Sequence, residues 1–243
     1  MNELILSIVT VTKNCVGTID RTLDSVQAVK QAGVEYVVVD GKSTDGTLEA
    51  IRSRGALVDH LVSEPDSGIY NAMNKAVRLV RGRYVLFING DDELVASGFP
   101  AVMEAMACGG DEIICATTVV GDIVSPIETL VAQPWRLPFF NSIPHPSSFV
   151  RRDLLLCSPF REDLRIVSDY DFFLQACLAR KNFHVLPVVT ALHQRGGASG
   201  DVQRSQAEIK RVRRDRLGWR YHLVDSVAGL YRLCKCLVYG RPV

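Results

Sequence analysis

Short apolar runs alternate with amphipathic stretches over the first 92 residues. Four runs have the length and composition of buried strands: residues 4–11, 34–39, 60–62 and 84–88. Between them, apolar residues recur at helical spacing over residues 19–26, 48–51 and 69–80. Gly82 follows the third of these stretches and is predicted to cap its helix. Strands that alternate with helices predict an α/β fold with a mostly parallel central sheet, right-handed crossovers and flanking helices.

The pattern is less regular after Asp92. It predicts two further helices and two further strands, at residues 101–107 and 168–178, and at 112–120 and 185–189. Residues 121–148 contain five prolines and little periodicity, which is typical of a long functional loop or lid.

Polar side chains gather where the predicted strands end. These residues are Thr10, Asn14, Asp40, Ser43 and Asp91. Ligands of open α/β sheets bind beyond the carboxyl ends of the strands, so we expect these side chains to share one site. Asp91 and Asp92 suit a hard cation bound through oxygen. The same two acids also fit a turn and a helix cap.

The composition narrows the class of protein. The chain has 243 residues, of which 47% are hydrophobic, and a formal net charge of +1, which argues against a nucleic-acid binder. Seven cysteines without a CxxC pair indicate reduced thiols and a cytoplasmic protein. The first residues lack the cationic start of a signal peptide, and no run of 18 apolar residues predicts a membrane span.

Several motifs, taken in order, resemble those of a known family. They are DGKSTDGT at 40–47, EPDxG at 64–68 leading to Asn74 and Lys75, NGDD at 89–92, SDYD at 168–171 and GGAS at 196–199. With the first strand, they resemble the family 2 glycosyltransferases of GT-A fold over residues 4–200. The resemblance implies a glycosyltransferase domain over 1–203, with a nucleotide-sugar-binding half at 1–95 and an acceptor-binding half at 96–203.

The same resemblance implies an inverting transfer of a sugar from a nucleotide-diphosphate-sugar, most readily a UDP-sugar, to an acceptor hydroxyl. The acceptor would be a saccharide or a lipid-linked molecule in the synthesis of cell-surface polysaccharide or glycolipid. Asp169 would be the catalytic base, and Asp91, helped by Asp92, would bind Mn²⁺ or Mg²⁺. The expected donor-binding residues are Thr10, Asn14, Asp40, Ser43, Asp66, Lys75, Asn89 and Gly90.

Three positions depart from the family pattern. Asn89 stands where the first acid of Asp-x-Asp is usual, Ser168 replaces an acid before the catalytic Asp, and Lys13 replaces an aromatic residue. Asp169 has a structural alternative, since Ser168 to Asp171 fits an S-x-x-D helix cap.

Two histidines and a pair of glycines complete the candidate site. No further His or Cys lies near His145 or His193 at the spacing of a zinc site. His145, in the proline-rich segment, is expected to face the acceptor, and His193 to approach the diphosphate. Gly196 and Gly197 fit a loop that closes over the donor, or a simple turn.

Residues 204–243 are predicted to form a basic amphipathic helical extension. Between Arg204 and Arg220, seven Lys or Arg stand against two acids, and an apolar helical stripe follows. Such a helix suits an anionic membrane surface, which would make the protein peripheral on the inner face of the plasma membrane. It equally suits packing against the domain or against a second copy of the chain.

Two other functions fit parts of the sequence. A sugar nucleotidyltransferase shares the expected sheet architecture, but it would need a glycine-rich, basic phosphate loop after the first strand, and residues 13–17 match one poorly. A non-catalytic subunit that binds a nucleotide-sugar is favoured only by Asn89.

Overall fold

The first half of the chain forms a parallel sheet with a helix in each crossover. The computed structural model describes residues 4–194 and 201–239, with side chains as far as Tyr231. In chain order the elements are β1 Leu6–Thr12, α1 Ile19–Val29, β2 Val34–Asp40, α2 Thr47–Ser53, β3 His60–Ser63, α3 Ile69–Leu79 and β4 Tyr84–Asn89. The four strands lie in the order β3-β2-β1-β4 and are all parallel. The α/β prediction is confirmed, with strand and helix positions close to those expected.

The second half extends the same sheet with mixed pairing. Its elements are β5 Glu93–Leu94, α4 Phe99–Cys108, β6 Ile113–Gly121, β7 Pro126–Leu130, β8 Ser148–Arg151, α5 Arg152–Cys157, α6 Ser168–Leu178, β9 Phe183–His193, α7 Val202–Leu217 and α8 Tyr221–Tyr239. The sheet continues as β4-β8-β6-β9-β5, with β8 antiparallel to β4 and β6, and β9 parallel to β6. Strand β7 pairs with β6, so the predicted loop at 121–148 contains a short strand. No helix within the described ranges is long and apolar enough to cross a bilayer.

The sheet has an apolar core on each face. Strand β1 contributes to both because successive side chains of a strand point to opposite faces. Val9 and Val11 pack on the side of α3 and α6, whereas Leu6 and Ile8 pack on the side of α1 and α4. Burial on both faces explains why β1, β2 and β4 are nearly continuous apolar runs in the sequence.

Gly82 does not cap α3, so that prediction is wrong. The helix ends at Leu79, and Val80 is already extended. Gly82 instead lies against β1, where a Cβ would stand 2.5 Å from Ser7 Oγ and 2.6 Å from Ser7 N. The position needs glycine because two stretches of backbone meet there.

The S-x-x-D cap at the start of α6 is also absent. Val167 is the residue before the helix, and no side chain caps it. The Asp171 carboxylate accepts hydrogen bonds from Arg216 on α7, at 2.8 and 2.6 Å, and the Ser168 hydroxyl is buried without a partner. Neither residue of the expected cap therefore caps α6, and Asp171 instead binds α7.

A buried carboxylate ties the amino ends of the strands together. Glu35 on β2 accepts hydrogen bonds from the Ser7 hydroxyl at 2.6 Å and from the backbone amides of Arg81 and Gly82. Burial raises the pKa of Glu35, but these hydrogen bonds outweigh burial and bring the pKa below its ordinary value of 4.5. The ionised carboxylate therefore stabilises the folded chain.

We predict that Glu35→Gln lowers the free energy of unfolding by about 1–3 kcal/mol at neutral pH, because buried donors lose an ionised acceptor. A lowered pKa contributes stability above the unfolded-state pKa and loses it as the pH falls through the folded-state pKa. The loss in the variant should thus shrink below pH 4.5. Urea unfolding against pH would measure it, with the exposed Glu49→Gln as control. Identical pH profiles for the wild type and Glu35→Gln would contradict this role.

Candidate functional site

A cavity of about 780 Å³ opens at the carboxyl ends of the parallel strands. Its walls come from the ends of β1 and β4, the start of α3, the segment before β8, the start of α6 and the end of β9. Seven of the expected site residues line it: Asp66, Asn89, Gly90, Asp91, His145, Asp169 and His193. The fold therefore gathers residues more than 100 positions apart into one site.

Thr10 does not face the cavity, so its predicted contact with a donor is wrong. Its hydroxyl is fully buried and accepts a hydrogen bond from the Tyr36 hydroxyl at 2.9 Å. Thr12, two residues further along β1, lines the cavity, and its hydroxyl has no partner. A Cβ at Gly90 would stand 2.6 Å from that hydroxyl, so glycine at 90 leaves Thr12 its space. Strand β1 continues one residue beyond its predicted end at Val11, so Thr12 is the polar residue at its end.

Asp40, Ser43 and Asn14 shape the loop behind the cavity and are not part of its lining. The Asp40 carboxylate is fully buried and accepts hydrogen bonds from the Ser43 amide and hydroxyl and from the Ser63 hydroxyl. The backbone N–H of Asn14 donates a hydrogen bond to the Ser43 hydroxyl at 2.8 Å. The Asn14 side-chain oxygen accepts a hydrogen bond from the Thr44 backbone amide at 2.9 Å.

Lys75 lies outside the cavity and supports its wall. Its ammonium group donates to the carbonyl of Pro65 at 2.9 Å and pairs with Glu64 at 2.7 Å. The neighbouring Asp66 does line the cavity, and its Oδ1 accepts a hydrogen bond from the Gly68 amide at 2.9 Å. Lys75 thus fixes the turn that carries Asp66.

Asp91 and His193 both line the cavity, and Asp92 is the hydrogen-bond partner of the histidine. His193 Nδ1 lies 2.7 Å from Asp92 Oδ1, and Asp92 is fully buried. This hydrogen bond raises the pKa of His193 against the effect of burial. Burial, with the charge of Asp92, raises the pKa of Asp91. Asp92 is therefore a partner of His193, and its expected role as a second metal ligand is not supported.

These side chains fit a divalent cation. Asp91 offers a carboxylate, and the bond from Nδ1 to Asp92 leaves Nε2 of His193 as a ligand atom, the usual carboxylate–histidine–metal arrangement. The side-chain oxygen of Asn89 is buried without a partner beside them. Among the described residues no three His, Cys, Asp or Glu side chains are grouped as ligands, so a bound substrate would have to supply the rest.

Asp169 stands on another wall of the cavity, at the start of α6. Its Oδ1 accepts a hydrogen bond from the Tyr70 hydroxyl at 3.1 Å, and the same hydroxyl donates to the Ile166 carbonyl at 2.7 Å. Burial, with the charge of Asp169, raises the pKa of Tyr70 well above its ordinary value. Tyr70 therefore keeps its proton and orients the carboxylate.

His145 lies among aromatic side chains on the cavity wall. Its ring centroid is 5.6 Å from that of Phe87 and 5.9 Å from that of Phe160. Burial lowers the pKa of His145, although Asp169 and Asp92 act in the opposite direction. The expectation that His145 faces a ligand agrees with this position, and it does so as a neutral ring.

Several lining residues were not found from the sequence. Thr12, Tyr70 and Arg165 belong to no recognised spacing, and the pairing of Asp92 with His193 joins residues 101 positions apart. Only the alternation of β1, once its end is known, identifies Thr12. Gly196 and Gly197, the expected closing loop, lie outside the described residues.

Comparison with known proteins gives one family. Residues 7–153 match the family model described as Glycosyl transferase family 2. A "PGL/p-HBAD biosynthesis glycosyltransferase" of Mycobacterium bovis is 29% identical over 235 residues, which cover 90% of this chain and 88% of the relative.

Solved structures share the fold. S. aureus TarS 1-349 in complex with UDP-GlcNAc matches with a TM-score of 0.74 and 17% identity, over 96% of this chain and 73% of that chain. Glucosyl-3-phosphoglycerate synthase from Mycobacterium tuberculosis, in complex with Mn²⁺, UDP and glucosyl-3-phosphoglycerate, matches with a TM-score of 0.65 and 19% identity, over 88% of this chain and 80% of that chain. The expected GT-A type of fold is confirmed.

The two cavity histidines should titrate on opposite sides of the ordinary value of 6.5, His193 above it and His145 below it. His193 thus holds its proton to a higher pH than a free histidine. Asp92→Asn should lower the pKa of His193, since the main cause of its rise is removed. NMR titration without added metal, with each ring assigned from a His→Gln variant, would measure both. Midpoints in the reverse order would contradict this arrangement.

Proposed function

Because the chain belongs to glycosyltransferase family 2, we propose that it transfers a sugar, with inversion, from a nucleotide-diphosphate-sugar to an acceptor hydroxyl. One observation carries this proposal. A single cavity holds Asp91 and His193 at the strand ends and a separate carboxylate, Asp169, on another wall. One-step displacement with inversion needs stabilisation of the leaving group on one side of the sugar and a base on the other.

The donor would occupy the part of the cavity beside β1 and the turn before α3. Thr12, Lys13 and Asp66 line this region, and the buried Thr12 hydroxyl has no hydrogen-bond partner among the described residues. TarS and the mycobacterial synthase were solved with UDP-GlcNAc and with UDP, respectively, which supports a UDP-sugar as the donor.

Asp91 and His193 would hold Mn²⁺ or Mg²⁺ together with the diphosphate of the donor. The mycobacterial synthase, solved with Mn²⁺ and UDP, supports this assignment. A bound cation would neutralise the negative charge that develops on the departing diphosphate. Asp92 would hold the His193 ring in place, with Nε2 toward the ligand.

Asp169 would act as the base. Its carboxylate accepts the proton of the acceptor hydroxyl as that oxygen attacks the anomeric carbon. The hydrogen bond from Tyr70 engages Oδ1 and leaves Oδ2 for the acceptor. Tyr70 thus fixes the direction from which the carboxylate meets the hydroxyl.

The acceptor would enter along the wall formed by the segment before β8. Leu130, Ile143, Pro144 and Pro146 make this wall largely apolar, with the neutral ring of His145 among them. Such a lining suits a sugar ring or an attached apolar group. A role in glycolipid or polysaccharide synthesis accords with the name of the mycobacterial relative, a PGL/p-HBAD biosynthesis glycosyltransferase.

A non-catalytic subunit that binds a nucleotide-sugar is the second candidate. Asn89 favours it, because a neutral amide stands where the family usually has an acid. Binding of donor and metal without transfer to any acceptor would establish that function instead.

Calorimetry of nucleoside diphosphates with and without Mn²⁺ tests the donor site. We expect UDP to bind in a metal-dependent way, and Asp91→Asn to weaken this binding at least ~10-fold, because a charged ligand atom is lost. Thr12→Val should weaken it by about 3–10-fold, the value of one hydrogen bond.

The matched control for this experiment is Thr10→Val, the same change on the same strand. It should leave the affinity for UDP unchanged, because the Thr10 hydroxyl is bonded to Tyr36 within the core. Tighter binding of GDP than of UDP would show that the donor carries guanine in place of uracil. An absence of binding by every diphosphate would remove both the donor site and the metal assignment.

The start of α8 exposes an apolar surface, which we call the α8 face: Trp219, Leu223, Val227 and Leu230. Trp219 is 79% exposed and Leu223 67%. Arg220 stacks on Trp219, with its guanidinium 5.5 Å from the ring centroid. Residues 204–243 contain ten of the 28 Lys and Arg and three of the 27 Asp and Glu, so this part of the chain is strongly cationic. An apolar face in a cationic part of the chain suits an anionic bilayer surface, and we propose that the α8 face binds one.

Vesicle co-sedimentation tests the α8 face. The wild type should bind vesicles that contain phosphatidylglycerol and bind phosphatidylcholine vesicles weakly. Trp219→Ser with Leu223→Ser should reduce binding at least ~10-fold, since two exposed apolar anchors are lost. Leu156→Ser, at an exposed site on α5, should not reduce it. Equal, negligible binding by all forms would remove the proposal. If wild-type dimers dissociated in the double variant, the partner would be a second copy of the chain.

A further inference from the structure

The turn that leads into α6, the helix that carries Asp169, is held by hydrogen bonds to a residue on α7. Glu208, on α7, accepts backbone hydrogen bonds from Arg165 and Ile166, each at 2.9 Å, and from Val167 at 3.3 Å. These three residues lead directly into α6, which has no side-chain cap of its own. The Glu208 side chain is only 12% exposed, so solvent screens its charge weakly.

We propose that Glu208 is a positioning residue for Asp169, which it orients by fixing the turn before α6. The proposal rests on the proposed role of Asp169 as the base. Three amides pointing at one carboxylate form a closed anion nest, in which both oxygens are used. Asp169 follows two residues after the last of these amides, so a change in the turn would rotate its side chain.

The turn also reaches Asp169 by a second route. The carbonyl of Ile166, whose amide is bonded to Glu208, accepts the hydrogen bond from the Tyr70 hydroxyl. Tyr70 in turn donates to Asp169 Oδ1. A displaced turn would therefore disturb both the backbone that carries Asp169 and the hydroxyl that orients it.

The same turn contacts the opposite side of the cavity. Arg165 lines the cavity, and its Nη1 donates to the carbonyl of Ser67 in the turn before α3. Glu208 thus fixes a segment that touches the proposed donor side through Arg165 and the proposed base through α6.

General docking of α7 does not depend on Glu208. Arg213 donates to the Tyr170 hydroxyl and to the Phe139 carbonyl, and Arg216 binds the Asp171 carboxylate through two hydrogen bonds. Val212 is fully buried against the core. With these contacts kept, the loss of the Glu208 carboxylate affects the turn and leaves the helix in place.

The test compares sugar transfer by Glu208→Ala and Glu208→Gln with that of the wild type. Misplacing a reacting group by about 1 Å costs on the order of 100-fold in rate, so we expect Glu208→Ala to lower kcat by about 10–100-fold. The affinity for UDP should fall much less than kcat, because Thr12, Asp91 and His193 lie on other elements and the turn reaches the donor side only through Arg165. The kcat of Glu208→Gln, which keeps one acceptor oxygen, should lie between those of the wild type and Glu208→Ala.

Asp215→Asn is the matched control. It removes one negative charge from the same helix, where Asp215 binds Arg161 at 2.9 Å without touching the turn. Its kcat should equal that of the wild type within about 2-fold, as expected for an exposed ion pair.

A double-mutant cycle with Asp169→Asn separates positioning from general stability. If Glu208 acts through Asp169, then Glu208→Ala should reduce the residual transfer of Asp169→Asn little further. Additive losses, or a loss of UDP affinity as large as the loss of kcat in both Glu208 variants, would show a general structural role and overturn the proposal. If Glu208→Ala had the kcat of the wild type and Asp169→Asn were inactive, the positioning role of Glu208 would be refuted, whereas the role of Asp169 as the base would stand. Full transfer by Asp169→Asn would overturn both.

Discussion

The site depends on the parallel pairing of β1 with strands on both of its sides. In this register Thr12 lies opposite Asp40 on β2, and Val11 lies opposite Asn89 on β4. Three strand ends are therefore held side by side, with their backbone hydrogen bonds fixed by the sheet. The loops that follow need only a few residues to bring their side chains into one cavity. The positions of these side chains are therefore determined mainly by the strands.

The two neighbouring carboxylates at this edge of the sheet differ in burial. Asp92 is buried and is satisfied by His193, whereas Asp91 remains half-buried at the cavity. Two adjacent carboxylates with equal exposure would repel each other, and one would take up a proton. The histidine partner gives the two acids different roles, because Asp92 supports the ring and Asp91 lines the cavity.

Much of the fold could be predicted from the sequence, because strands buried on two faces and amphipathic helices leave regular patterns. Asp91 and Asp169 were singled out because motifs carry them, and both line the cavity, as does His193, which no motif contains. The errors came from registers and partners that a local pattern does not contain. The end of β1 was placed at Val11, whereas the strand continues to Thr12, so Thr10 was taken as its polar end residue in place of Thr12. The partners of Glu35, Asp92 and Asp171 lie 28 to 101 residues away, beyond the reach of any spacing rule.

The attachment of α7 to α6 also determines the order in which the protein matures during synthesis. The four parallel strands and their helices end at Asn89 and can assemble as the ribosome continues. Helix α6 is translated long before its partners Glu208, Arg213 and Arg216 leave the exit tunnel. A nascent chain would thus complete its strand-end loops first and form the contacts between α6 and α7 later.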